Sequence, residues 1–244
     1  MNILILAAGN GTEESGYPIW LSEVDGMLLL ERQILGFSEA GGKKFIYAFR
    51  QCDILNYHVD AIIDQFDLPA IAVIPIKHQT AGAALTALLA VGELCLDDEL
   101  IVASATDHAY VDYKLIVSEF REKKEDVGLL TFDSLHPRYS YVKFDEDQLV
   151  VEAAEKRPIS RRASAGFYWY ARASDFVDSL KEMILKDVQT NGIFYISASL
   201  NELVLQGRRI VAHHLRPDQY HPIKDQRQVN VFEHHIEERP RYAS

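Results

Sequence analysis

The sequence predicts an α/β protein built on a mostly parallel, doubly wound sheet. Its first half alternates short apolar runs, as expected of strands covered on both faces, with longer segments of helical spacing. The 244 residues are enough to bury a full core. No linker, repeat or low-complexity tract interrupts them. The expectation is therefore one domain over 1–244, with halves at 1–132 and 133–232 and a polar tail at 233–244.

Residues 1–8 are a continuous apolar run and read as the first buried strand. Helical spacing over 28–40 stops at Gly41 and Gly42. A strand at 44–49, a helix at 54–66 and a strand at 71–76 follow. The alanine- and leucine-rich segment 81–96 reads as a helix entered through Gly82. A fourth strand, 99–104, runs into Thr106, Asp107 and His108. A helix at 113–124 and a strand at 127–132 complete the alternation, which is the signature of parallel strands joined by helical crossovers. The second half changes character: 139–144 and 148–153 form a hairpin around 145–147, then come a strand at 164–170, helices at 174–186 and 193–206, and a strand at 209–215. The tail EHHIEERPRYAS is polar and expected to fray.

Composition narrows the function classes. Hydrophobic residues at 48% and charged residues at 25% are ordinary for a globular protein. No apolar run approaches the roughly 20 residues of a membrane helix. The N-terminus shows no basic leader or small-residue cleavage site. The two cysteines, Cys52 and Cys95, lack metal-type spacing. A cytoplasmic protein is the expectation. A net charge of −11 without a basic segment argues against nucleic acid as a partner, because phosphate contacts dominate that affinity. A small anion remains a candidate where cations are placed locally.

Ligands of open parallel sheets sit beyond the carboxyl ends of the strands, and three stretches fall there. AAGNGT, after the first strand, can form an anion nest from consecutive N–H groups; a tight strand-to-helix turn is the plain alternative. Asp107, after the fourth strand, is placed to hold a divalent metal or to cap the following helix. EAAEKRPISRRASAGFYWY puts Glu155, Lys156, Arg157, Arg161 and Arg162 just before a strand; a solvated charge run is the usual meaning of such a cluster. In FYWY, 167–170, the alternation assigns two aromatics to the core and two to a cleft. Trp20 is read either as a stacking surface for a base or sugar or as a pocket plug. His213–His214 and His234–His235 lack ligand spacing and read as structural or surface residues.

Taken in order, these stretches resemble the sugar-phosphate nucleotidyltransferases, the nucleotide-sugar pyrophosphorylase family, and among them members from capsule and surface-polysaccharide gene clusters. ILAAGNGT resembles the signature loop and SEVDGMLLLERQI the segment after it. QTAGAALTALL resembles the base-binding segment, with Gln79 where many members have glycine. IVASATDHAYVD resembles the strand delivering a metal aspartate, EAAEKRPISRRASAGFYWY the sugar- and phosphate-binding segment, and FYISASLNELVLQGRRI the helix before the last core strand. The resemblance implies a Rossmann-like GT-A type fold with a nucleotide-binding first half and a sugar-phosphate-binding second half. It implies nucleotide contacts from Ala7, Ala8, Gly9, Gly11, Thr12, Gln79 and Gly82, and substrate contacts from Glu155, Lys156, Gly166 and Tyr168. Asp107 is the implied Mg²⁺ ligand, and Asp107 and Lys156 the implied catalytic residues. The implied partners are a nucleoside triphosphate or nucleotide sugar, a sugar phosphate and a possible second copy of the chain, with neither nucleic acid nor membrane.

The chain departs from the family pattern at three points. Glu13 stands where an arginine follows the loop, Ile19-Trp20-Leu21 where Lys-Pro-Leu is usual, and Pro222 at the second metal aspartate. In the implied reaction a sugar phosphate attacks the α-phosphorus of a triphosphate, so rate depends on in-line positioning and on cations facing the developing charge. Losing two cations and a metal ligand is expected to cost on the order of 10⁴ in rate. His221, Lys224 and Asp225 lie beside the missing aspartate, His221 as a substitute metal ligand and Lys224 as a phosphate contact. Three functions stay open: a nucleotidyltransferase with altered phosphate contacts, a non-catalytic homologue binding a nucleotide or sugar as a regulatory module, and a glycosyltransferase on the related fold.

Overall fold

The computed structural model describes residues 1–9 and 17–238. β1 (Asn2–Leu6) is followed by a short 3-10 turn (Ile19–Leu21), a small hairpin of β2 (Glu23–Val24) and β3 (Met27–Leu28), and α1 (Leu29–Glu39). Next come β4 (Lys44–Arg50), α2 (Gln51–Tyr57), α3 (Val59–Ile63), β5 (Ile71–Ile76), α4 (Ala83–Leu89) and β6 (Leu100–Ser104). The chain continues through β7 (Asp107–Ala109), α5 (Tyr113–Glu122), β8 (Val127–Asp133), β9 (Ser140–Phe144), β10 (Val150–Glu155) and β11 (Arg162–Tyr170). It ends in α6 (Ala173–Leu185), α7 (Ile196–Leu205), β12 (Ile210–His214), β13 (Tyr220–Pro222) and α8 (Gln226–Glu238). Among the described residues no helix is long and apolar enough to cross a membrane.

Among the described residues, nine strands share one sheet. β1 lies between β4 and β6, parallel to both, and β5 continues beyond β4 in the same sense. β11 runs antiparallel to β6, β8 and β9, and β12 lies parallel to β8. Seven strands therefore point one way, and β10 and β11 oppose them. This is the mixed, mostly parallel α/β sheet expected of a Rossmann-like nucleotidyltransferase fold.

Both faces of the sheet are covered, and the period of two divides the strand residues between them. Ile3, Ile5, Phe45, Tyr47, Phe49, Phe167 and Trp169 pack beneath α1, α3 and α5. Leu4, Ile46, Tyr168 and Tyr170 pack on the other face beneath α4, α6 and α7. All four aromatics of 167–170 are buried, which corrects the assignment of two to an open cleft. The alternation is real, but helices cover both sides; Tyr168 is the member of the four that also borders the cavity described below.

Other differences have local causes. The helix expected over 54–66 starts at Gln51, where the Arg50 guanidinium pairs with the buried Asp53 carboxylate, and breaks at His58, whose φ is +50°. The helix expected over 81–96 ends at Leu89 and tightens into a 3-10 turn at Val91–Glu93. The polar tail is corrected in part: residues 233–238 continue α8. Val229 and Phe232 bury that helix against Ile19, Leu29 and Ile223. The rest of the tail, 239–244, lies outside the described residues. The two-stranded pair of β7 and β13, which had no counterpart in the sequence pattern, places Pro222 opposite Asp107 and His221 opposite His108.

Candidate functional site

Because β1 sits between β4 and β6, the crossovers depart in opposite directions there, and the carboxyl ends of the two central strands leave a crevice. It is a cavity of about 660 Å³. Leu6 at the end of β1 and Ala8 and Gly9 beyond it border the cavity, with Gln79, Thr80 and Gly82 alongside. Glu155, Tyr168, Tyr195 and Ser197 enter from the second half, Asp107 and Tyr220 from the β7–β13 pair, and Lys224 from just beyond it.

Asp107 is tightly held. Gln33 Nε2 donates to the carbonyls of Ser104 at 2.9 Å and Asp107 at 3.3 Å, fixing the bend after β6. The Tyr220 hydroxyl donates to Asp107 Oδ1 at 2.8 Å, and Lys224 Nζ lies 3.3 Å from Oδ2. Burial raises the Tyr220 phenol well above its ordinary range, as do the nearby Asp107 charge and hydrogen bond, so it remains a donor. Gly166, at φ +73°, passes directly beneath: a Cβ there would lie 3.1 Å from Asp107 Oδ2. The helix-capping alternative for Asp107 is excluded, because Asp112 caps α5 by accepting from Leu115 N at 2.8 Å.

Glu155 is held differently. Burial pushes its carboxyl above the usual range, opposed by the Ser197 hydroxyl, which donates to Oε2 at 2.7 Å, and by the charge of Lys156. Lys156 itself does not line the cavity among the described residues. Its backbone is left-handed at φ +56°, and its ammonium sits 5.0 Å from the Tyr195 ring centre. A hydrogen bond with the Tyr195 side chain raises its pKa.

On the first-half side, Gly82 at φ +124° lets the chain pass against residue 194, where any Cβ would meet the Phe194 carbonyl at 2.3 Å. Phe194 N donates to Ala81 O at 2.8 Å, so the 79–82 loop and the 193–197 segment form one wall. The hydroxyls of Thr80 and Thr86, which also line the cavity, bond at 2.6 Å.

The structure thus brings Ala8, Gly9, Gln79, Gly82, Asp107, Glu155, Gly166 and Tyr168 to one cavity. Ala7 is buried behind it, its N–H donating to Ala48 O at 3.0 Å. Gly11, Thr12 and Glu13 lie outside the described residues. Ile19 and Trp20 are buried: Ile19 lies beneath α8, and Trp20 stacks on Phe49 at 4.8 Å, so Trp20 offers no open face for a base or sugar. His221 is turned onto Phe232 and His235, and Asp225 accepts from Gln228 N at 2.8 Å as the cap of α8. Neither takes the place of a metal ligand. Tyr220, Ser197, Tyr195 and Arg138 also border the cavity. Their polar groups, spread over three segments, form no local motif.

These donors do not fit a divalent ion. Magnesium wants six oxygens in near-octahedral array, one or two from carboxylates with a free lone pair and the rest from waters and substrate phosphates. Asp107 already has a phenol on one oxygen and an ammonium on the other, and the position facing it is Pro222. Among the described residues no three His, Cys, Asp or Glu side chains converge to hold a metal.

No protein-family model matches the sequence, and no curated protein does. Solved structures do share the fold. The nucleoside-diphosphate-sugar pyrophosphorylase from Vibrio cholerae RC9 superposes with a TM-score of 0.79 at 20% identity, over 96% of this chain and 100% of that one. UDP-glucose pyrophosphorylase, solved complexed with UDP-glucose, gives 0.77 at 15% identity, over 98% and 99% of the two chains. The chain therefore has the α/β fold on which these pyrophosphorylases are built.

Proposed function

We propose that the chain is a sugar-phosphate nucleotidyltransferase that binds a nucleotide sugar in this cavity. The observation that carries the reading is convergence: residues from Ala8 to Tyr168, matched to the nucleotide and sugar segments by resemblance, line a single crevice at the switch point of the sheet. In this reading residues 1–132 hold the nucleotide and 133–232 the sugar phosphate. The base lies against Ala8, Gly9 and the Gln79 amide. The sugar hydroxyls meet Glu155 in the hollow that Gly166 and Tyr168 leave open. Arg138 and Lys224, both lining residues, face the phosphates. A phosphate oxygen of the sugar phosphate forms a bond to the α-phosphorus, the bond to the α–β bridging oxygen breaks, and pyrophosphate leaves with that electron pair. Lys156 joins the phosphate only by leaving the Tyr195 ring. The capsule-cluster resemblance makes surface polysaccharide the destination of the activated sugar.

A second reading, a ligand-binding homologue with little turnover, is favoured by the neutralised Asp107. One experiment separates the two. Thermal shift identifies the nucleotide sugar that binds, and pyrophosphate release is then followed from the matching triphosphate and sugar phosphate. Binding with release supports the transferase, and binding without release supports the homologue. Stabilisation by no triphosphate, sugar phosphate or nucleotide sugar overturns both.

A further inference from the structure

We propose that the Lys224 ammonium takes the place of a divalent cation in this cavity, so that it holds the diphosphate of a nucleotide sugar without metal. The inference rests on the nucleotide-sugar reading and deepens it.

Lys224 Nζ is placed by two oxygens, Thr106 Oγ1 at 2.5 Å and Asp107 Oδ2 at 3.3 Å. Its backbone is tied on both sides: Ile223 N donates to Thr106 O at 2.7 Å, and Lys224 N to Gln228 Oε1 at 2.7 Å. The charge is thus anchored just beyond the β7–β13 pair rather than carried on a free surface arm. The side chain is nonetheless 48% exposed, against 15% for Asp107, so a ligand reaches the cation more readily than the carboxylate.

Charge balance points the same way. Two carboxylates around a dication sum to zero, and so do one carboxylate and one ammonium. Pro222 lies opposite Asp107, and Lys224, two residues on, returns the balance with a smaller charge on each side. A dication brought to Asp107 would have to displace the ammonium or share the carboxylate with it against like-charge repulsion. An ammonium has three donors, and two directions are already taken by Thr106 and Asp107, which leaves one for a phosphate oxygen. Such a contact is ionic and weakens with salt. Arg138 borders the same cavity and supplies a second cation for the diphosphate.

The test is calorimetry with nucleoside diphosphate glucoses carrying each of four bases, in EDTA and then in millimolar Mg²⁺. The expected result is a dissociation constant in EDTA within threefold of that in Mg²⁺, rising with salt. Lys224→Gln is expected to weaken binding at least tenfold in EDTA, and Lys224→Arg to retain most of it. Binding seen only with Mg²⁺ overturns the proposal and leaves the nucleotide-sugar reading standing, as does EDTA binding that Lys224→Gln leaves unchanged. Binding in neither condition overturns both. Should Lys224→Gln fail to fold, the wild-type comparison of EDTA with Mg²⁺ and the Lys224→Arg result decide alone.

Discussion

Asp107 and Glu155 reach the same cavity from different strand ends, each with a lysine associated with it, and the lysines behave oppositely. Glu155 and Lys156 are neighbours in sequence, yet the left-handed backbone at Lys156 sends its ammonium to the Tyr195 ring and leaves the carboxyl to a serine hydroxyl. Asp107 and Lys224 are 117 residues apart, yet the β7–β13 pairing sets them 3.3 Å from each other. Chain adjacency therefore says little about which charges meet. Backbone conformation and strand register decide it. The consequence is one end of the cavity with an internally paired carboxylate and another with a desolvated one.

Acid should break these two ends in opposite senses, and this is the largest effect expected. His108, beside Asp107, is buried against Phe232. Burial lowers its pKa to about 4, against the opposing pull of Asp107. Between pH 6.5 and 4 the unfolded chain binds this proton and the folded chain does not, so stability is lost as pH falls through that window. The cost is on the order of 3 kcal/mol. Glu155 has the reverse sign: its raised pKa means the folded chain takes up a proton at higher pH than the unfolded one, and acid relieves its burial. His213 and His214 are also lowered by burial, so wild type alone does not isolate His108. Denaturant melts from pH 7 to 4.5 should show His108→Leu losing distinctly less stability than wild type. Parallel curves for the two proteins would refute the assignment.

A smaller effect sharpens the contrast at neutral pH. Tyr220→Phe removes the neutral donor from a half-buried, paired carboxylate and is expected to cost about 1–3 kcal/mol, the penalty for a charged acceptor left short of a partner. Ser197→Ala does the same to Glu155 but leaves a carboxyl already pushed toward its neutral form, and about 1 kcal/mol is expected. Equal losses in chemical denaturation would mean that the two ends are not held differently after all. Ser197→Ala should also raise the Glu155 pKa further, so that its remaining loss grows as pH rises from 5 to 8.

The sheet was legible because both periods were clean: apolar runs for strands covered on two faces, and 3.6 spacing for α1, α5 and α6. The cavity's place was legible from the strand ends that carry Gly9, Asp107 and Glu155. What sequence reasoning missed lies where contacts are long-range or signals short. A three-residue strand, β13, has no periodicity to read, and without its register neither Tyr220 nor Lys224 can be assigned to Asp107. Helix α8 carries its apolar residues at Val229, Phe232 and Ile236, correct spacing hidden by a strongly polar composition. The burial of Ile19 and Trp20 is likewise long-range, against α8 for the one and Phe49 for the other.

The smallest effect tests the backbone argument itself. Lys156 holds a left-handed φ, which costs a residue with a Cβ roughly 1–2 kcal/mol, while its exposed contact with Tyr195 returns only about 0.5–1 kcal/mol. Lys156→Ala keeps the strain and loses the contact, so it should lower stability by less than about 1 kcal/mol. Lys156→Gly loses the same contact but adopts positive φ freely, offset by the added freedom of glycine in the unfolded chain. Gly should therefore be at least as stable as Ala here, the reverse of their order in a helix. Thermal melts of the two variants side by side give the answer. If Ala proves clearly the more stable, the backbone at 156 is not left-handed, and nothing then turns the lysine away from Glu155. The distinction between the two ends of the cavity would have to rest on Asp107 and Lys224 alone.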